Sequence, residues 1–314
     1  MEAIEKFGCA GGAISAKIVA MKNVTPSGLA FAMAAILTWG FFPIYFKMLE
    51  SYGAMAVISH RMIWAVLVIA VLLTFLGQWP AVLAALRSRR AMKLLFFSTL
   101  SMGFSWGFYI WAVHNGRIVE ASMGYYLTPL MSVVVGLMIF RERLSPLQIW
   151  AVGLAATGVG VSLAWSGIFP WIGVLLGGTF AIYSGVRKLA PVDALAGVFI
   201  ESLFLLPFGI ALALWDGVGG GLAMNWVDLL LLASGGLVTI LPITWYVAAS
   251  RRMPLSTLGT LFYIAPTMGF LSGVFVFGEP FTFSDGIMFA LIWLGLILFS
   301  LEGTVGAKQR RLAE

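Results

Sequence analysis

The chain has 314 residues, of which 61% are hydrophobic and only 10% are charged, and its mean hydropathy is +1.00. A soluble domain is about a quarter charged, because its surface must be polar. This composition excludes an ordinary soluble protein and indicates a membrane protein. The formal net charge of +6 comes from basic residues in short connections between apolar stretches, a pattern typical of membrane orientation rather than of nucleic-acid binding.

The two ends of the chain are more polar than its middle. Residues 1–26 are mixed and rich in Gly and Ala, and their apolar run is too short and broken for a signal peptide. We predict a flexible cytoplasmic tail at 1–26, with Met21 as an alternative start, and a second cytoplasmic tail at 304–314. The one cysteine, Cys9, excludes a disulfide framework within the chain.

Ten apolar segments follow one another between these tails. A membrane-spanning helix needs about 20 apolar residues, and short connections that carry charges, Pro or Gly separate the segments. We therefore predict an all-α, polytopic membrane bundle of ten transmembrane helices, with no soluble domain. The segments are 28–49, 54–76, 94–113, 121–140, 147–165, 170–188, 194–214, 227–248, 256–277 and 285–302.

The distribution of Lys and Arg predicts the orientation. Sixteen of the 19 basic residues lie in the tails or in the connections after the even-numbered segments. Lys47 and Arg117 lie on the opposite side, and Arg61 lies inside the second segment. Because cytoplasmic loops are enriched in Lys and Arg, both termini are predicted to be cytoplasmic. We expect a multi-pass protein of the bacterial inner membrane.

An internal repeat divides the chain into two halves. Six residues between Tyr126 and Glu142 recur 137 positions later, where Pro129 matches Pro266, and Gly158 and Gly295 continue the match. The predicted halves are 27–165 and 166–303, with five helices each. An odd number of helices places the halves in opposite senses across the membrane. This inverted repeat is typical of secondary transporters, whose binding site lies between the halves near the midplane.

Ionisable residues inside the predicted spans are the first candidates for function, because a charge is costly in the bilayer core. His60 and Arg61 lie in the second segment and Glu201 in the seventh, each about 10 Å deep and entering from opposite faces. We expect a water-lined cavity between them. In the functional interpretation, Arg61 anchors an anion or dipole while Glu201 and His60 couple transport to protons. The alternative is that all three only stabilise helix packing.

Aromatic residues and prolines inside the spans extend this candidate site. Trp64, Trp106, Tyr109 and Tyr183 lie within segments rather than at the membrane interfaces, and they either line a solute pocket or simply pack. Pro129 and Pro266 occupy equivalent places in the fourth and ninth segments. Since proline kinks a helix, we predict that this pair forms a conformational hinge.

Basic residues at the predicted cytoplasmic face have a simpler interpretation. Arg187 and Lys188 end the sixth segment, where they either extend to lipid headgroups or line the rim of the cavity, and the first interpretation is favoured. The charged residues near the other connections are interpreted as orientation determinants: Arg141, Glu142, Arg143, Arg251 and Arg252. No nucleophile elbow, ATP-binding loop or metal-ligand set is found, so neither an enzyme nor a cofactor or metal site is predicted.

Several motifs resemble the RarD-like permeases of the EamA-type drug/metabolite transporter superfamily. They are WGFFPIYFK at 39–47, HRMIW at 60–64, EASMGYY at 120–126 and YIAPT at 263–267. The resemblance extends over about residues 28–302. It implies ten helices and alternating-access transport without ATP, and the usual label of the family refers to chloramphenicol sensitivity or resistance.

The predicted function is secondary transport, in the direction of export, of a small amphipathic solute such as a metabolite, an amino acid or a chloramphenicol-like drug. The expected partners are this solute, the lipid bilayer and protons. Two alternatives stay open at this stage: a proton-independent facilitator and a structural membrane protein without transport activity. A structural protein gives no reason to bury Arg61 and Glu201 at mirrored positions.

Overall fold

The computed structural model describes residues 24–49, 51–114, 118–167, 171–215, 225–278, 283 and 286–299. Apart from residues 24–26, the two predicted tails lie outside these ranges. The same holds for Arg117 and Glu279. The architecture is all-α over the described residues, as the composition predicts.

The helices are named here in chain order. They are α1 (Pro26–Gly40), α2 (Phe42–Met48), α3 (Ala54–Phe75), α4 (Trp79–Arg87), α5 (Arg89–His114), α6 (Ile118–Phe140), α7 (Pro146–Ser166), α8 (Trp171–Leu189), α9 (Ala194–Trp215), α10 (Trp226–Ser250), α11 (Leu255–Phe262), α12 (Ile264–Phe277) and α13 (Gly286–Phe299).

Six helical stretches among the described residues are long and apolar enough to cross a membrane. Two of them, Pro26–Met48 and Leu255–Phe277, each combine two consecutive helices. Each of the ten predicted apolar segments coincides with one helix or one such pair. The short helix α4 was not predicted. It buries Val82 and Ala85 against α3 and α9 and leaves Leu83 and Leu86 exposed, as an amphipathic surface helix does.

Several helices begin at a side chain that caps their free N–H groups. Thr25 accepts from Gly28 N at 3.0 Å, and Asn225 accepts from the backbone of Val227 and Asp228. Ser145 and Gln148 form a reciprocal capping box at the start of α7. Each cap satisfies donors that the helix itself cannot pair. The caps therefore fix where the connections end.

Two prolines coincide with breaks between consecutive helices. Pro43 follows the break at Phe41 between α1 and α2, and Pro266 follows the break at Tyr263 between α11 and α12. Proline has no N–H with which to continue the helical hydrogen-bond series. Pro129, by contrast, lies inside the uninterrupted α6. The two prolines of the predicted hinge are thus not structurally equivalent.

The most extensive contacts join helices that are far apart in the chain. Helix α3 packs on α9 and α10, α6 packs on α8 and α11, α5 packs on α8, and α1 packs on α10. Each of these pairs joins a helix from before residue 166 to one from after it. The bundle core is therefore formed mainly between the two parts of the chain.

Helices α7 and α13 meet through two glycines. A Cβ atom on Gly158 would lie 2.9 Å from the carbonyl oxygen of Met288, and one on Gly295 would lie 2.6 Å from that of Ala151. The contact is reciprocal, because residues 151 and 158 plus 137 are residues 288 and 295. Small residues of this kind allow close approach of helix backbones.

A methyl group added at this interface is expected to separate the two helices. We predict that Gly295→Ala lowers the free energy of unfolding by about 1–3 kcal/mol, because the backbone of α7 has no room for it. Thermal unfolding of the purified protein in detergent measures the change. Gly153→Ala on α7 is the matched control: no atom lies within 4 Å of its Cβ position, so it should raise stability slightly. Equal behaviour of the two variants would contradict the close contact.

Candidate functional site

A small cavity of about 40 Å³ lies inside the bundle between α3, α5, α8, α9 and α10. Arg61 lines one part of it and Glu201 another. Trp106 and Tyr183 also line it, so it contains four of the seven residues predicted for the solute and proton pathway. Most of the remaining lining is apolar: Met62, Ala65, Met102, Val198, Leu205, Ile240 and Ile243.

Arg61 is held by one hydrogen bond and by aromatic rings. Its Nε donates to Thr239 Oγ1 at 2.8 Å. The guanidinium carbon lies 5.1 Å from the ring centre of Phe46, 5.6 Å from that of Trp106 and 6.0 Å from that of Phe42. These distances are within the range of cation–π attraction. Gly235 makes room for the side chain, since a Cβ there would lie 2.9 Å from Arg61 Cγ.

Glu201 is fixed by partners from two other helices. Its Oε1 lies 3.2 Å from Arg187 Nε and accepts a short hydrogen bond from Ser98 Oγ. Tyr183 donates to Oε2 at 3.3 Å. Both carboxylate oxygens are thus engaged, and Glu201 is only 5% exposed. The ion pair of Glu201 is made with Arg187, not with Arg61.

The favoured interpretation of Arg187 and Lys188 as residues that extend to lipid headgroups is wrong. Arg187 is fully buried and Lys188 is 7% exposed. The guanidinium of Arg187 occupies the space beside Gly197, where a Cβ would lie 2.4 Å from Nη1, and it donates to the carbonyl of Ala194 at 3.2 Å. Ala194, Gly197 and Glu201 all belong to α9, so this helix packs over the guanidinium and a position near the end of α8 is not at the surface.

The remaining predicted pathway residues lie outside the cavity lining. His60 and Trp64 contact each other, because Trp64 Nε1 donates to His60 Nδ1 at 3.2 Å. The backbone of Trp64 packs against Gly236 of α10. Tyr109 is 37% exposed on α5. His60 and Trp64 thus share α3 with Arg61, and Tyr109 shares α5 with Trp106, but none of the three lines this cavity.

An aromatic cluster closes the bundle beside the Glu201 end of the cavity. Its rings lie 5.3–6.0 Å apart, in tilted or edge-to-face arrangements that favour ring–ring attraction. Tyr246 also accepts a hydrogen bond from Ser184. The members of the cluster are Trp39, Phe180, Tyr183, Tyr246 and Phe262.

Glu142 lies at the centre of a second polar cluster, which we call the Glu142 cluster, formed with Lys188, Leu255 and Ser256. Oε1 accepts from Leu255 N at 2.7 Å and from Lys188 Nζ at 3.2 Å, while Oε2 accepts from Ser256 N at 2.9 Å and Ser256 Oγ at 2.7 Å. The carboxylate therefore caps the start of α11. Its interpretation as an orientation determinant alone is incomplete, because it joins the α6–α7 connection to α8 and α11.

The surroundings of Glu142 favour its ionised form. Burial works to raise the pKa of its carboxyl, but the Lys188 ammonium and the donors of Ser256 and Leu255 outweigh it, so the pKa is lowered. Gly136 is required for this placement, since a Cβ there would lie 2.5 Å from Oε2.

Arg251 has a structural role that the sequence analysis did not predict. Its Nη1 donates to the carbonyl of Val192 and its Nη2 donates to that of Ala190 at 3.1 Å. Both carbonyls belong to the connection between α8 and α9. Arg251 thus ties the α10–α11 turn to the connection that follows Arg187 and Lys188. The end of the bundle that contains Glu142, Lys188 and Arg251 is called the basic end below.

Comparison with known proteins agrees with this architecture. Residues 26–164 match the EamA-like transporter family. An uncharacterized transporter of Vibrio cholerae is 38% identical over 289 residues, which cover 91% of this chain and 96% of that protein. Protein RarD of Salmonella typhimurium is 37% identical over 285 residues, 88% of this chain and 96% of that protein. The chain belongs to the RarD-like, EamA-type permeases.

The predicted resemblance is therefore confirmed. A protein of known crystal structure, 21% identical, has the same fold with a TM-score of 0.66 and covers 92% of this chain and 99% of that one. Membership of the RarD-like permeases, together with the apolar helices, makes this chain a multi-pass bacterial membrane protein. The family is one of transporters rather than of enzymes.

The lowered pKa of Glu142 makes the stability of this permease depend on pH. The stabilisation from the ionised carboxylate is fully present above the ordinary carboxyl pKa and is lost as the pH falls through the lower pKa of the folded protein. We expect Glu142→Gln to cost about 1–3 kcal/mol at neutral pH. Unfolding midpoints between about pH 3 and pH 7 should show this cost shrinking with acidification.

The control for the Glu142 experiment is Arg143→Gln, which removes an exposed charge from the same connection. It should leave the midpoints nearly unchanged. A Glu142→Gln cost that stays constant over the whole pH range would contradict the ionised, multiply bonded carboxylate.

The buried pair of Arg187 and Glu201 predicts strong non-additivity. Glu201→Gln leaves a fully buried cation without its charge partner, so we expect a loss of about 3–5 kcal/mol. The double variant Arg187→Gln/Glu201→Gln leaves no isolated charge and should be more stable than either single variant. Thermal unfolding of the four proteins completes the cycle. Additive losses would show that the two side chains are not coupled.

Proposed function

We propose that the protein is a secondary transporter that moves a small amphipathic solute by alternating access. The observation that carries the proposal is the cavity that contains both Arg61 and Glu201 between helices of the two parts of the chain. Buried ionisable groups beside a cavity in a membrane protein mark solute and ion pathways. Packing alone would not require such groups to line an empty space.

The ten-span, inverted-repeat arrangement is part of this proposal. The spans are α1–α2, α3, α5 to α10, α11–α12 and α13, with halves at 27–165 and 166–303. The helix pairs support it. The proposed repeat relates α5 to α10 and α8 to α1, and the packing of α5 on α8 has its counterpart in the packing of α10 on α1. The reciprocal contacts of Gly158 and Gly295 fit the same relation. Two halves of this kind, with the site between them, suit rocking of one half against the other.

The orientation that we propose places the basic end in the cytoplasm, with both termini, in the bacterial inner membrane. The asymmetry of Lys and Arg supports it. Burial then indicates which side is closed. Residues 255–260, 195–201 and 246–250 are all buried at the basic end, whereas Tyr125 is 53% and Tyr109 is 37% exposed towards the opposite end. This distribution favours a state that is open to the outside.

The interruptions at Phe41 and Tyr263 support the hinge part of the proposal. Two broken spans, α1–α2 and α11–α12, contact each other through α1 and α12. Pro266 stays a candidate hinge residue because a break accompanies it. Pro129 contributes differently. Its carbonyl oxygen would lie 2.9 Å from a Cβ on Gly259, so α11 packs closely on α6 at this point.

Coupling to protons through Glu201 is the proposed energy source. The carboxylate lines the cavity and is buried, and protonation would release its attraction to Arg187. The solute enters through the Arg61 side, where the lining combines one cation with apolar and aromatic side chains. Amino acids and amphenicols remain candidates on the basis of the family label, and export remains the proposed direction. A proton-independent facilitator is the second candidate.

Flux in proteoliposomes tests the proposal. Uptake and efflux of amino acids, amphenicols and small metabolites are measured with and without an imposed pH gradient. We expect gradient-driven flux of one class, and we expect Glu201→Gln to abolish the gradient dependence while solute binding remains measurable. The variant Arg187→Gln/Glu201→Gln serves as the second test, because it leaves no unpaired cation.

Each outcome of the flux experiment has a distinct meaning. Gradient-driven flux at the wild-type rate in Glu201→Gln would remove Glu201 from the coupling mechanism. Flux that is indifferent to the gradient in the wild-type protein would favour the facilitator. No flux of any class by well-folded protein would contradict transport itself.

A further inference from the structure

We infer that the solute is a monoanion with an apolar body, and that Arg61 binds its carboxylate. The inference rests on the proposed transport function and specifies the charge of what is carried. It follows from the ionised groups that line the cavity and from which of them are already paired.

Arg61 carries a charge that no acid balances among the described residues. The ion pairs found there join Arg187 to Glu201 and Lys188 to Glu142. Arg61 makes one hydrogen bond, from Nε to Thr239 Oγ1. Its two terminal nitrogens make none within the described parts of the chain, so they are free to donate to a ligand.

The rings around Arg61 prepare it for a planar anion. Phe42, Phe46 and Trp106 hold the guanidinium within 5.1–6.0 Å of their centres, and the Thr239 hydrogen bond fixes its rotation. A fixed guanidinium presents parallel N–H groups that match the two oxygens of a carboxylate. Attraction to the rings balances the charge of Arg61 only in part. A bound carboxylate would therefore supply most of the electrostatic stabilisation of this cation.

The Glu201 end of the cavity offers no unpaired carboxylate to a positively charged solute. Arg187 neutralises Glu201, and hydrogen bonds from Ser98 and Tyr183 occupy its oxygens. The three ionised groups Arg61, Arg187 and Glu201 therefore sum to one positive charge. An ammonium group brought into this cavity would meet the hydroxyl groups of Thr99 and Ser202 but no carboxylate that is free to pair with it, which is costly.

Apolar residues between the two ends favour a hydrophobic body. Met102, Leu205, Ile240 and Ile243 line this part of the cavity with Trp106. A carboxylate with an aryl or alkyl chain places its charge on Arg61 and its body among these side chains. Neutral amphenicols leave Arg61 uncompensated, and zwitterionic amino acids leave their ammonium group without a partner.

Matched probes test the charge of the solute. Phenylpropionate, phenylalanine and phenylpropionamide share one body and differ in carrying an anion, a zwitterion or no charge. Their affinities are measured in nanodiscs by quenching of tryptophan fluorescence and by calorimetry. We expect phenylpropionate to bind about tenfold or more tightly than the other two, as one charge-assisted bidentate interaction provides.

Variants locate this preference at Arg61. Arg61→Gln should remove the discrimination between phenylpropionate and phenylpropionamide, and Arg61→Lys should keep part of it because the charge remains without the fork. Thr239→Val is the second test if Arg61→Gln does not fold, since it keeps the charge and removes only the hydrogen bond that orients it. Arg89→Gln is the matched control: it removes an exposed cation of α5 that does not line this cavity, and it should change nothing.

Two results would overturn the inference. One is equal or tighter binding of phenylalanine or phenylpropionamide, or no binding of phenylpropionate by folded protein. The other is a preference for the anion that Arg61→Gln leaves intact. Flux separates this failure from failure of the transport proposal: transport of a zwitterion or a neutral solute contradicts the charge assignment alone, whereas absence of flux for the whole panel contradicts transport.

Discussion

The ion pair between Arg187 and Glu201 is the constraint on which the arrangement of the bundle depends. Neither residue can leave the interior without the other, because an isolated charge in a region of low dielectric constant is far more costly than a paired one. The pair draws together α8 and α9, and Ser98 adds α5. Gly197 is small because the guanidinium needs its space. The position of the cavity follows, since Glu201 and Tyr183 form part of its wall.

The two arginines of the central bundle show how one type of side chain takes two roles. Arg187 has an acid beside it and is fully buried. Arg61 has only a hydroxyl and aromatic rings around it and lines the cavity. A paired arginine stabilises the fold, whereas one that keeps its terminal donors free is available to a ligand. The two arginines therefore differ both in their partners and in burial, since Arg187 is fully buried and Arg61 is partly exposed.

The sequence was sufficient for the features that local pattern and composition determine. Apolar segments predicted the helices, and the 137-residue offset identified Gly158 and Gly295, which meet at one interface. The ion pair of Glu201 was missed because depth had been estimated by counting residues from the end of a helix. Arg187 is near the end of α8, but α9 packs over it and buries it completely. Gly197, four residues before Glu201, was the available indication that a large side chain packs there, although a glycine alone does not show which residue occupies the space.

The two ion pairs differ in what breaking them costs, and this difference bears on the proposed opening of the basic end. Glu142 lies in a connection and keeps partial exposure, so separating it from Lys188 returns the carboxylate to water, which compensates much of the loss. Arg187 and Glu201 have much less of this compensation, because Arg187 is fully buried and Glu201 is only 5% exposed. We therefore expect α8 and α9 to move as one unit as long as Glu201 is ionised. In the proposed transport cycle, the contacts that change are then those of α11 with the α6–α7 connection, where the Glu142 carboxylate caps the first turn of α11.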